Sequence, residues 1–188
     1  MEIIRSYAIS IWSLWDPLYY SLTRLTYIEK GEPAKCVFRV RLTKYKGSPT
    51  LLNDGTQINK NDLLVKIHLH NVRLLQEMRQ STNDFQKVIQ MYRHVQQSMP
   101  FLAAYVKGHE QYGEIKGIIG ITLLNEGTKK LGFESFSLKS KLYRMFKLTS
   151  LLPIYLLFNQ NKHAIFGTEP RYLMMSKEQL IERYHSKN

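Results

Sequence analysis

The residues of this chain best suited to chemistry are His68, His70 and Asn71, which close the run Asp62-Leu63-Leu64-Val65-Lys66-Ile67-His68-Leu69-His70-Asn71. Apolar and polar residues alternate through it, as in a strand with one face on a core. Leu63, Val65, Ile67 and Leu69 then point inward, while Lys66, His68 and His70 share the opposite face. An imidazole titrates near neutrality, so His68 oriented by Asn71 forms the candidate catalytic pair, with His68 as general acid or base. Histidines at i and i+2 on a strand also have the spacing of metal ligands. No third ligand is fixed by the local sequence, however, and neither a metal nor another cofactor is expected. A second chemistry needs no catalysis. Arg39 and Arg41 alternate with Phe38, Val40 and Leu42. If that strand lies beside the histidine strand, Arg39, Arg41, Lys66 and His70 form a ligand-binding face for an anionic group, held by charge-assisted hydrogen bonds.

Composition narrows the classes of partner. The chain carries 27 Lys and Arg against 15 Asp and Glu, a formal charge of +12, which favours anionic polymers: nucleic acid, acidic phospholipid, or the phosphate- and carboxylate-rich polymers of a bacterial wall. Nucleic acid is the least favoured of these, because no helix-turn-helix, finger or RNP-like motif is present. Phosphate-loop, dinucleotide and nucleophile-elbow fingerprints are absent as well. The single cysteine, Cys36, stands in register with the inward positions Phe38, Val40 and Leu42. It reads as a small buried hydrophobe and excludes an internal disulfide framework or a Cys-rich zinc site.

The elements that must position these residues follow from periodicity. With 188 residues and no composition break, 1–188 reads as one domain. Residues 1–29 are expected to be a helical segment packed on it, an amphipathic N-terminal helix with Ile4, Ile11, Trp15, Leu18 and Leu22 on one side. Ser6, Ser10, Ser13 and Asp16 interrupt it and Glu2 precedes it, so it fits neither a signal peptide nor a membrane span. Trp12, Tyr19, Tyr20 and Tyr27, with Arg5 and Arg24, read first as core packing and otherwise as an interfacial aromatic surface that touches lipid or sugar. A cytoplasmic protein is expected, able to sit peripherally on the inner membrane face.

Residues 36–45 form a strand, Leu51 to Ile58 a tight hairpin turned by Asp54-Gly55, and Asn59 to Asp62 a second turn. The period then becomes helical. Val72, Leu75 and Met78 mark one helix, Phe85 to Val95 a second, and Pro100 opens a short third through Val106. Ile115 to Leu124 is apolar on both faces, as a covered central strand requires. A short helical turn from Glu126 to Leu131, closed by Gly132, precedes a strand from Phe133 to Leu138. Lys139 to Phe158 is an apolar helix bearing Lys141, Arg144 and Lys147, kinked or ended at Pro153. Leu173 to Met175 is a strand, after which Ser176 and Gln179 cap the last helix. The sum is an α+β fold: a mixed, mainly antiparallel sheet with helices packed on it.

Several of these segments together resemble a known family. Leu14-Trp15-Asp16, Tyr45-x-Gly47, Leu52-x-Asp54-Gly55, Asn61-Asp62 and Ile67-His68-Leu69-His70-Asn71 are similar to the YkoP-like domain. So are Gly120-Ile121-Thr122-Leu123-Leu124, Leu131-Gly132-Phe133 and Met175-Ser176-Lys177-Glu178-Gln179-Leu180. That family occurs alone in bacilli and appended to polysaccharide deacetylase-like proteins, with no established activity. The resemblance implies a setting in envelope carbohydrate metabolism. It also implies that His68 and Asn71 fill a His-x-x-Asn pattern, with Asp54, Gly55 and Asp62 as turn residues. His70 stands where an acidic residue is commoner. The function expected first is a basic binding or accessory domain for an anionic cell-envelope polysaccharide or its precursor. A small acid/base enzyme using His68 comes second, and a nonspecific binder of nucleic acid or acidic lipid third.

Overall fold

The computed structural model describes residues 25–28, 36–70, 74, 84–123, 127–158 and 169–185. In chain order its strands are β1 (Thr26–Tyr27), β2 (Phe38–Lys44), β3 (Thr50–Leu51), β4 (Gln57–Ile58), β5 (Leu63–Leu69), β6 (Ile115–Thr122), β7 (Glu134–Ser137) and β8 (Arg171–Ser176). Its helices are α1 (Asp84–Lys107), α2 (Lys141–Phe158) and α3 (Lys177–Tyr184). Six strands make one sheet in the order β1-β2-β5-β6-β8-β7, and β3 pairs with β4 in a separate hairpin. Only β5 and β6 run parallel; the other pairs of the large sheet are antiparallel. The parallel pair follows from α1, which carries the chain back across the sheet between them.

The alternation read at 63–69 is realised. Phe38, Val40, Val65, Ile118 and Met175 pack on one face of the sheet against Met99, Leu102, Ala103 and Val106 of α1 and Leu180 of α3. Each large side chain buried this way contributes roughly 1.5–3 kcal/mol. Cys36 is buried in the same cluster. The other face is covered too. Leu64, Ile119 and Met174 lie in a second cluster beneath Tyr45, Leu52 and Ile58. The hairpin supplying that lid turns at Asp54-Gly55 as expected. Gly55 has φ +85°, its N–H donates to Leu52 O at 3.0 Å, and Thr56 N donates to Asp54 Oδ1 at 2.9 Å.

Two expectations are corrected and a third is narrowed. The helix of Phe85 to Val95 does not stop before Pro100; α1 is continuous from Asp84 to Lys107 with Pro100 inside it. The missing proline N–H falls on the exposed side, where water can take the freed carbonyl, while Met99, Leu102 and Ala103 are fully buried and hold the axis through the defect. α2 reaches Phe158 as expected, so of the two outcomes expected at Pro153 the helix does not end there. Within the segment expected to be helical to residue 29, Thr26 and Tyr27 instead form a strand, pairing with Val40 and Arg39. The amphipathic N-terminal helix itself, the helix of Val72, Leu75 and Met78, and Asn71 lie outside the described residues.

A polar clasp ties the hairpin to the last helix. Ser176 Oγ accepts from Gln179 N at 3.0 Å, capping α3, and donates to Asp54 Oδ2. Partial burial works to raise the Asp54 pKa, but the bonds from Ser176 and Thr56 outweigh it and hold the carboxyl below its ordinary value of 3.8. This contribution is therefore present above that value and is lost as pH falls through the lowered one. Ser176→Ala is expected to cost about 1–3 kcal/mol at pH 7, with a smaller deficit in acid. Urea unfolding at the two pH values measures it, and equal midpoints for variant and wild type would show the clasp to be inert.

Candidate anion-binding site

Cross-strand register decides which side chains meet. Arg39 stands opposite His68, Arg41 opposite Lys66, and Tyr27 opposite Arg39. Directly opposed residues share a face, and the two-residue period adds the rest. Tyr27, Arg39, Arg41, Lys66, His68 and His70 therefore lie on one side of the sheet, away from α1. His70 N continues the ladder by donating to Val37 O at 2.9 Å, and its ring meets Tyr27 edge-on at 5.8 Å.

This face is not open to solvent. Arg39 is only 3% exposed; its Nη2 donates to Tyr27 Oη at 2.7 Å and its guanidinium carbon lies 4.9 Å from the ring centroid. An arginine tolerates such burial because its planar cation is weakly hydrated and can stack. α2 brings Tyr143 and Lys147 to the same face, where Tyr143 interacts with Tyr172 of β8. Tyr172 in turn meets Tyr45 edge-on at 6.1 Å. Arg39, Arg41, His68 and His70 have further interactions beyond these.

Electrostatics follow from crowding like charges where water is scarce. Burial first, then the charges of Lys147 and Arg41, push the Lys66 ammonium down to about 8. Burial, then Arg41, lowers Lys147 as well. His68 is pushed down to about 3 by burial first and then by Lys66, Arg41, Lys147 and Arg39. It is thus neutral at pH 7. The unfolded chain binds a proton at this position that the folded one does not between about 3 and 6.5, so stability falls as pH drops through that window. Burial raises the phenol pKa of both Tyr143 and Tyr172. Among the described residues neither Lys66 nor Lys147 has a carboxylate partner, and no group of three His, Cys, Asp or Glu side chains is placed to hold a metal ion.

Arg39, Arg41, Lys66, His68 and His70 are therefore brought together, while Asn71 lies outside the described residues. Lys147 and the tyrosines Tyr143 and Tyr172 join them without having been singled out for the site. Helical spacing puts Tyr143 and Lys147 one turn apart on α2, but nothing local says which sheet face that helix crosses.

The chain is thus an α+β protein whose mixed sheet is covered on both faces, with a cluster of cations under one cover. It belongs to the YkoP family: the YkoP domain matches residues 5–184. It is similar to "Uncharacterized protein YkoP" of Bacillus subtilis (strain 168), with 44% identity over 180 residues, covering 96% of this chain and 97% of the relative. No solved structure matches it.

Proposed function

We propose that the face built by β2, β5 and α2 binds an anionic group, phosphate or carboxylate, carried by a cell-envelope polysaccharide or its precursor. One observation carries this reading: Arg39, Arg41, Lys66 and Lys147 converge on one half-buried face, close enough to depress the pKa of His68 together, and the two lysines have no carboxylate partner among the described residues. Holding the Lys66 and Lys147 ammonium groups together is unfavourable unless an anion relieves it, and a bound anion there would meet donors in a medium less screened than water. Tyr143 and Tyr172, half-buried on the same face, supply flat apolar surface of the kind on which sugar rings rest. Envelope chemistry enters from the resemblance to bacillar and deacetylase-linked sequences. General acid catalysis by His68 is less well supported, since burial first and then the surrounding cations disfavour the protonated imidazole it needs near neutrality.

Co-sedimentation with purified phosphate-bearing wall polymer, and with a neutral glycan as control, tests the reading. Wild type is expected to bind the phosphate-bearing polymer at about 0.3 M salt, where the Debye length is only several ångströms. Lys147→Gln should bind about tenfold more weakly. Binding that disappears with salt equally in both proteins would leave the +12 charge as a nonspecific attractor and overturn the assignment.

A further inference from the structure

α2 turns apolar side chains outward. Leu142, Met145 and Phe146 are 82%, 65% and 62% exposed, and their spacing of three and four residues places them in one stripe. Tyr143 and Lys147 occupy the half-buried side of the same helix. Scattered exposed apolar residues are ordinary, but three large ones on adjoining turns of one helix form a patch that needs a partner. The charges around it are of one sign. Lys139 and Lys141 are exposed beside the stripe, Arg144 pairs with Glu169 at 3.1 Å, and the Lys147 ammonium lies 5.4 Å from the Phe146 ring centroid. No acidic residue occurs between Glu134 and Glu169.

We infer that the Leu142, Met145 and Phe146 stripe of α2 is a docking surface for an acidic phospholipid bilayer, with Lys139 and Lys141 against the headgroups. The helix lies on such a surface and does not cross it, since no helix among the described residues is long and apolar enough to span a membrane. A second copy of this chain is a poorer occupant. A two-fold contact through the stripe would bring the Lys139 and Lys141 of both copies into one interface, with no carboxylate in the segment to offset them. An anionic bilayer satisfies both halves of the patch at once, apolar area below the headgroups and positive charge among them. The stripe and its flanking Lys139 and Lys141 are not residues of the anion site, although Lys147 of that site lies against the Phe146 ring.

Flotation of the full chain with vesicles of phosphatidylglycerol and phosphatidylcholine, against phosphatidylcholine alone, tests it. Wild type is expected to float with the acidic vesicles only. The double variant Leu142→Ser, Phe146→Ser, changed at exposed positions that the core does not use, should partition about tenfold less or weaker still. A second readout is Met145→Cys carrying an environment-sensitive fluorophore, which labels selectively because Cys36 is buried. Its emission should shift to the blue on adding acidic vesicles. Absence of flotation with acidic vesicles, flotation unchanged in the double variant, or a label that does not shift would each overturn the inference. So would a concentration-dependent dimer that the double variant abolishes in the absence of lipid.

Discussion

Lys66→Met is expected to make the protein more stable at neutral pH, by about 1–2 kcal/mol after allowing for the part of the side chain that water still reaches. It should also remove most of the affinity for the anion. Methionine keeps the stem length that packs along the sheet and deletes only the charge. The direction follows from proton uptake. Folding lowers the Lys66 pKa from 10.5 to about 8, so between those values the unfolded chain holds a proton that the folded chain does not, and wild-type stability rises with pH across the interval. The advantage of the methionine variant should then be greatest at or below pH 8 and fade by about pH 10.5. Thermal unfolding across this range, with and without phosphate-bearing polymer, separates the two effects. Polymer should raise the wild-type midpoint and leave the variant's unmoved. A variant less stable than wild type at pH 7 would show that Lys66 already has a partner anion within the protein.

Gly117→Ala should be the most damaging small substitution in the sheet, costing about 3 kcal/mol or more. A methyl group there would lie 2.5 Å from Met175 O and 3.4 Å from both Met175 C and Ser176 Cα. All of these are backbone atoms of the neighbouring strand and have no rotamer by which to retreat. The position is paired with Ser176 on β8, and the β5–β6 register slips between Leu63 and Leu64, where Leu64 meets Gly117. Glycine is suited to such an irregularity because a second backbone approaches closely. Gly113→Ala is the matched control, with nothing within 4 Å of the added carbon. Urea midpoints that fall equally for both variants would show that the effect is generic loss of glycine and not the clash with β8.

Much of this arrangement was legible from local pattern. The alternation in 63–69, the Asp54-Gly55 turn and the Ser176 cap each rest on interactions within a few residues, and each appears where the pattern puts it. What was not legible depends on distant packing. A strand of two residues, Thr26 and Tyr27, is too short to display a period. Pro100 is a helix breaker by every local rule, and only the buried side chains on either side of it carry α1 through. Leu64 gave no sign that its end of the polar face would be capped by Tyr45, Leu52 and Ile58, and Arg39, read as an outward residue, proves to be buried with its guanidinium on Tyr27 of that two-residue strand. Lys147 joins the cations only because α2 returns over the sheet after an excursion of some 80 residues from Lys66.

The pairing of β2 with β5 bears on how the chain finds its fold. A slip of one residue between them would swing Lys66 and His68 into the apolar layer beneath α1 and set Val65 and Ile67 among the cations in their place. The charged face therefore acts as a proofreading device: every wrong registration by an odd number of residues must bury ammonium among Phe38, Val40 and Met99. A chain relieved of those cations would lose that penalty along with its repulsion, and its extra stability would be shared among alignments the natural sequence forbids.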